Sequence, residues 1–291
     1  MNNLEFLKEN LIAHRGYHDI LKGIPENSLP AFQKAIDCNY AIELDVHILK
    51  DNTVVVFHDD NVKRMTGIDK PLKDFTYPEL VKLHLNDTKE VIPTLEQVLQ
   101  LVDGKVPLLI EFKTDYNLKG LIKESMKFLK DYKGKYAVQS FHPKCVNFFK
   151  KHYPNIPRGQ LSYDFKKDKM PYFAKLMLKN MFFNFLTEPD FISYNIDNYN
   201  LNKVFKWKKK RPLLGWTVRN KNQFEANKDI FDILICENID EYFKPNKDKE
   251  QSGHSKFIES LQSTHSTILK NSYKTPDDPN HQKRSIVQNP R

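Results

Sequence analysis

Cysteine is scarce in this chain. Its 291 residues include three, Cys38, Cys145 and Cys236, far apart and never in a CxxC pair. That argues against a disulfide framework and against a zinc–thiolate site, and it fits a reducing, cytoplasmic setting. No apolar run reaches the length of a bilayer span. The first residues, MNNLEFLKEN, lack the basic start and apolar stretch of a secretory signal. The expectation is a cytoplasmic protein that does not cross a membrane.

Charge is plentiful. Lys and Arg number 46 against 37 Asp and Glu, a net charge of +9. A basic balance raises the question of nucleic acid, but the surplus is spread out. The tail 245–291 carries eight basic and five acidic residues, and the dense clusters are Lys206–Arg211 and Lys166–Lys169. Lysine-rich stretches of this kind are ordinarily solvated helix faces. The expectation is therefore no nucleic-acid partner, with an attraction for anionic substrates or membrane surfaces. Oligomeric state is not legible. The tail, rich in Ser, Asn, Lys, Gln and Pro, cannot bury enough surface to offset chain entropy and reads as disordered. Domain boundaries follow: 1–244 folded, 245–291 a polar tail.

The body alternates short β-branched or aromatic runs with helical patterns. Strand-like runs lie at 11–13, 41–46, 54–57, 106–112, 137–141, 158–162, 191–194, 213–218 and 231–236. Helical periodicity covers 28–38, 94–102, 118–132, 143–152, 202–210 and 221–228. Strand–helix alternation means βα units and a parallel sheet, and the folded length approaches the ~250 residues of a (β/α)8 barrel. Nine strands are one too many. The link from 47 to 54 is too short for the dozen-residue crossover that parallel strands need. Val54–Phe57 is then the return arm of a hairpin. Centred between Asp51 and Asn52, this hairpin places His58 opposite Asp45. The fold class is α/β, a distorted (β/α)8 barrel with a small hairpin insertion after strand two and a disordered C-terminal tail.

Catalytic groups of such barrels sit at the C-terminal strand ends, and these ends are polar here. Strand one runs into His14-Arg15-Gly16. Strand two carries Glu43 and Asp45 on one face, since strand side chains repeat every second residue. The hairpin arm ends in His58-Asp59, and the next strand carries Glu111 and Lys113. Each piece alone is compatible with surface polarity, a salt bridge or turn chemistry. Together, three carboxylates without cysteine suit a hard divalent cation, Mg2+ or Ca2+. Arg15 and Lys113 suit an anionic phosphoryl group, and two histidines suit acid–base work near neutral pH. The combination describes phosphodiester cleavage.

The series His14-Arg15-Gly16, Pro25-Glu26-Asn27-Ser28, Glu43-Leu44-Asp45-Val46, His58-Asp59 and Ile110-Glu111-Phe112-Lys113 resembles the glycerophosphodiester phosphodiesterase family. Ser140-Phe141 and Gly215-Trp216-Thr217-Val218 resemble its later strands, so the likeness runs from Leu11 to Glu237. The resemblance implies a phospholipase C-like barrel that hydrolyses glycerophosphodiesters to glycerol 3-phosphate and an alcohol with a divalent metal. It implies metal ligands Glu43, Asp45 and Glu111, an acid–base pair His14 and His58, and substrate contacts from Arg15, Lys113 and Trp216. The sequence departs from the family where Ser28 replaces Thr, and where Cys236-Glu237-Asn238-Ile239 replaces Asp-Arg-Pro.

The apolar, aromatic stretch 171–186 is too short to span a membrane. It reads as a helix packed on the barrel, or as a lid or interfacial helix that accepts an acyl chain. Lysophospholipase D-type hydrolysis at the same site is the alternative enzyme reading. A non-catalytic module that binds anions or lipids is the alternative from another class.

Overall fold

A computed structural model describes residues 3–9, 11–113, 116–167, 169–197, 199–200 and 206–239. The chain divides into two units, Met1–Asn246 and Lys247–Arg291, and every described residue lies in the first. The expected polar tail falls outside the described residues, as do the first four residues, 202–205, of the helix expected over 202–210.

Nine strands form one sheet: β1 (Ile12–Ala13), β2 (Ala41–Ile48), β3 (Val54–Val56), β4 (Leu108–Phe112), β5 (Tyr136–Ser140), β6 (Arg158–Ser162), β7 (Phe191–Asn195), β8 (Leu213–Val218) and β9 (Ile233–Cys236). Their order is β1-β9-β8-β7-β6-β5-β4-β2-β3, and β1 also pairs with β2. All of these pairings are parallel except β2–β3. Eight parallel strands therefore close into a barrel, and β3 lies outside it as the hairpin arm. Connecting helices include Leu29–Asp37, Leu95–Val102, Leu118–Leu129, Pro143–His152 and Lys221–Asn227. Their starts carry the expected signals: Ser28 accepts from the Ala31 N–H, and Thr94 with Gln97 forms a capping box.

The hairpin register differs from the sequence expectation by one residue. Val46 faces Val56 and Ile48 faces Val54, so the ladder carried onward sets Phe57, not His58, across from Asp45. The Phe57 N–H indeed donates to the Asp45 carbonyl at 3.0 Å. The cause is the loop, which has three residues, not two. Leu49 N–H donates to Thr53 O, and Asn52 adopts φ +67°. Asparagine tolerates that left-handed conformation, as three-residue hairpin loops require.

The insertion is also larger than a hairpin. After β3 the chain makes short helices at Lys63–Thr66 and Tyr77–Leu80. Val55, Phe57, Val62, Met65, Leu72, Phe75, Leu80 and Ile92 form a separate apolar cluster there. The stretch 171–186 does not make one packed helix. It makes Tyr172–Lys179, with no buried residue, then Asn184–Thr187, separated by a turn in which Met181 has φ +53°.

One end of the barrel is plugged. A short helix, Glu5–Lys8, brings Leu4 and Leu7 against Ile12, Ala41, Leu109, Ala137, Phe191, Leu214 and Ile233. These residues lie in the early parts of their strands, so the apolar plug sits at the N-terminal end. With strand side chains alternating, the next inward positions on β2, β4 and β5 are Glu43, Glu111 and Gln139, all buried. Polar chemistry is thus confined to the C-terminal end by an apolar floor. Gly159 belongs to that floor: a Cβ there would lie 2.1 Å from the Phe191 ring.

Gly159→Ala should therefore overpack the barrel and destabilise it by about 1–3 kcal/mol. Thermal unfolding of the variant should show a melting temperature several degrees lower. An unchanged melting temperature would mean that Phe191 can turn aside without penalty.

Candidate active site

The first turn of the site is built on Arg15 and Gly16. Both have positive φ, +56° and +79°, and the Gly16 N–H donates to Ala13 O. A Cβ on Gly16 would stand 2.9 Å from Phe32 and 3.0 Å from Ala31, so glycine is required. This turn aims the Arg15 N–H at Glu43 Oε2, 3.1 Å away, and the Arg15 guanidinium at Glu26 Oε1, 2.7 Å away. Asn27, two residues beyond Pro25, donates from Nδ2 to Asp45 Oδ2 at 2.9 Å.

Glu43, Asp45 and Glu111 meet as expected. Each offers a carboxylate oxygen, and these oxygens lie within 4.8 Å of one another. All three residues are buried. Lys113 Nζ reaches Asp45 Oδ1 at 2.9 Å and Glu111 Oε1 at 2.5 Å, and Arg15 Nε stands 3.6 Å from Asp45 Oδ2. Burial would lower the Lys113 pKa, but the Asp45 and Glu111 carboxylates outweigh it and raise it. Burial would raise the Asp45 pKa, but Lys113, His58 and Arg15 hold it down. Glu43 is left over. Burial and the like charges of Asp45 and Glu111 push its pKa well above the usual range, against Arg15 and Lys113. Three anions face two cations in a dry place, and an all-oxygen donor set with unbalanced negative charge fits a divalent cation such as Mg2+ or Ca2+.

Each histidine is held by a carboxylate. His14 Nδ1 lies 2.6 Å from Glu237 Oε1, and His58 Nδ1 lies 2.6 Å from Asp59 Oδ1. An ionised carboxylate only accepts, so the neutral ring donates from Nδ1 and keeps its lone pair on Nε2. Burial lowers His14 to about 4, only partly offset by Glu237, which leaves it neutral at pH 7. Asp59 stays ionised: the hydrogen bonds from His58 and Arg64 outweigh its partial burial.

The predicted residues converge. His14, Arg15, Glu43, His58, Glu111, Lys113 and Trp216 line one cavity of about 1060 Å3, and Asp45 lies beneath it. His58 faces this cavity although the expected register does not hold, because β3 ends at Val56 and His58 is already off the ladder. Phe141, Tyr163 and Trp216 form an aromatic wall, with Phe141–Trp216 ring centroids 5.6 Å apart. Gln139 Oε1 and Trp216 Nε1 find no partner among the described residues and are available to a ligand.

Sequence reasoning missed three supports. Glu237 occupies the departure from the family pattern, and nothing local marks it as the His14 partner. Asp59 was visible only as His58's neighbour. Arg64 donates to Asp59 Oδ2 at 2.6 Å and to Glu26 Oε1 at 2.7 Å. It joins Arg15, Glu26, Asp59 and His58 into one chain of charges.

The sequence profile described as the glycerophosphoryl diester phosphodiesterase family matches residues 14–241. The chain belongs to that family. YhdW of Bacillus subtilis, itself named only provisionally as a glycerophosphodiester phosphodiesterase, is 34% identical over 222 residues, covering 72% of this chain and 86% of its own. Mouse lysophospholipase D GDPD1 is 37% identical over 123 residues, 37% of this chain and 38% of its own. Among solved structures, a phosphodiesterase of Oleispira antarctica in complex with the product sn-glycerol-3-phosphate superposes with a TM-score of 0.66 at 20% identity, covering 78% of this chain and 92% of that one. The fold likeness agrees with the barrel described above. This member of the glycerophosphoryl diester phosphodiesterase family is an enzyme, and glycerophosphodiester hydrolysis is its reaction class.

The charge chain yields a pH test. Burial would raise Glu26, but Arg64 and Arg15 together lower it from 4.5 to about 2. A depressed carboxylate adds stability above its unfolded pKa and loses it as the pH falls through its folded pKa. The native protein should therefore exceed Glu26→Gln in melting temperature at pH 7, and the gap should close between pH 4.5 and about 2. A gap that persists at the acid end would remove the ion-pair explanation.

Proposed function

We propose that the chain hydrolyses glycerophosphodiesters to glycerol 3-phosphate and an alcohol, with a divalent metal and two histidines. The supporting observation is the convergence of three buried carboxylates and two carboxylate-held histidines on one cavity. Glu43, Asp45 and Glu111 would hold the metal, which when bound supplies Lewis-acid polarisation of a phosphoryl oxygen. Arg15 and Lys113 hold the phosphate charge. His14, neutral at pH 7, takes the proton of the attacking oxygen on Nε2. His58, in the imidazolium form that Asp59 stabilises, gives its Nε2 proton to the alcohol oxygen as that oxygen's bond to phosphorus breaks. Glu237 and Asp59 keep both rings in the right tautomer and stabilise the imidazolium form of each. The scarcity of cysteine supports a cytoplasmic setting.

A second reading, lysophospholipase D-type cleavage at the same site, is favoured by the cavity. At about 1060 Å3 it is roomy by the 300–1,000 Å3 scale of ligand pockets. Its far wall is apolar, including Phe165, Met177, Leu178 and Phe183. Turnover of lysophosphatidylcholine relative to glycerophosphocholine separates the two readings. A non-catalytic module has no support, since the carboxylate and histidine set is complete.

Release of glycerol 3-phosphate from glycerophosphocholine should stop in excess EDTA and return with Mg2+ or Ca2+. Full activity in chelator would remove the metal from the mechanism.

His58→Ala and Glu237→Gln should each lower kcat by ~10²–10⁴-fold. Calorimetric metal binding should be kept in both, because neither residue is among the proposed ligands. Asp45→Asn should instead weaken metal binding. Turnover within a few-fold of normal in His58→Ala would take His58 out of the chemistry.

A further inference from the structure

The segment from Phe165 to Thr187 walls the cavity on one side and faces solvent on the other. Its helix Tyr172–Lys179 has no buried residue. Six large apolar side chains stand exposed: Tyr172 (80%), Phe173 (69%), Leu176 (43%), Phe182 (54%), Phe185 (62%) and Leu186 (53%). Only four others of this kind, Ile20, Leu21, Ile68 and Tyr116, are exposed among the described residues, and they are spread along the chain. Scattered exposed leucines are normal, but six such side chains within fifteen residues mark a place where another body sits.

Charge indicates which body. Between 165 and 187 the sequence carries Lys166, Lys167, Lys169, Lys175 and Lys179 against one acid, Asp168. Lys166, Lys167 and Lys169 are exposed. A second copy of this chain, joined about a two-fold axis, would set this positive patch against itself. A bilayer containing anionic lipids presents phosphates to the lysines and an apolar boundary to the aromatic rings. Position gives a second argument. Phe173 and Leu186 are exposed and also line the active-site cavity, so the patch is continuous with the rim of that cavity.

We propose that the 165–187 segment is a docking surface for anionic lipid bilayers. Its aromatic side chains lie at headgroup depth and its lysines on lipid phosphates, with the cavity rim turned toward the membrane. A phosphodiester derived from membrane lipid then enters from the surface on which the enzyme rests. This surface goes beyond the catalytic reading and does not depend on it.

The test is co-sedimentation of the full chain with vesicles of phosphatidylcholine alone or with about 30 mol% phosphatidylglycerol. Binding is expected to the mixed vesicles, to be much weaker for the neutral ones, and to fall with added salt as the charges are screened. The triple variant Tyr172→Glu, Phe182→Glu, Phe185→Glu changes exposed residues that do not line the cavity. It should lose at least about tenfold in vesicle partition, while keeping its circular dichroism and its turnover of soluble glycerophosphocholine. Lys167→Gln with Lys169→Gln should weaken binding to anionic vesicles severalfold. The proposal is overturned by absence of binding to mixed vesicles. It is equally overturned by undiminished binding of the triple variant, which would reduce the effect to net charge. A dimer that dissociates in the triple variant, without vesicle binding in the native protein, would assign the patch to a second copy. Inactivity of the native protein on glycerophosphocholine would count against the catalytic reading and leave this one standing.

Discussion

Glu43, Asp45 and Glu111 are three carboxylates buried within 4.8 Å of one another, and like charges at that distance in a dry interior repel strongly. Nearly every polar feature around the barrel mouth answers this repulsion. Lys113 spans two of the three carboxylates. Arg15 offers its backbone N–H to the third, and Asn27 offers its amide to Asp45. Arg15 can do so only because Gly16 lets the chain turn tightly against Phe32. Glu26 and Arg64 then balance the arginine and extend the charge chain to Asp59 and His58. The raised pKa of Glu43, set first by its burial and then by the charges of Asp45 and Glu111, is what Arg15 and Lys113 leave uncompensated.

The two histidines are treated alike although they come from different parts of the fold. One follows β1 and leans on a carboxylate after β9, while the other follows β3 and leans on its own neighbour in sequence. In both, the hydrogen bond at Nδ1 fixes which nitrogen faces the cavity. Arg219 also approaches Glu237, with its Nε 3.7 Å from Oε2. The acids that orient the rings are thus themselves anchored by arginines, Arg64 for Asp59 and Arg219 for Glu237.

The barrel was legible because its strands are compact β-branched runs separated by helices, and β6 and β8 have the bounds expected from the sequence. The carboxylates and histidines were legible because polar residues at strand ends contrast with apolar neighbours. The hairpin register was not, since one asparagine in a left-handed conformation changes the loop from two residues to three. The cluster around Val62, Met65 and Leu80 was hidden because helices of four residues carry no periodicity. The plug of Leu4 and Leu7 shows only two apolar positions three apart. Glu237 was noticed as a departure, yet its partner lies 223 residues away, a distance that only barrel closure spans.

That long-range contact has a consequence for how the enzyme comes into being. The His14 N–H bonds to the Cys236 carbonyl, and its ring leans on the next residue. β1 is flanked by β2 on one side and by β9, the last strand of the barrel, on the other. A nascent chain emerging at about 5–20 residues per second can assemble the carboxylate cluster early. It cannot orient His14 until the ninth strand has left the ribosome. His14, the first of the proposed catalytic residues to be synthesised, is therefore among the last to be set in place, and a chain that stops short of Glu237 lacks the carboxylate that holds its ring.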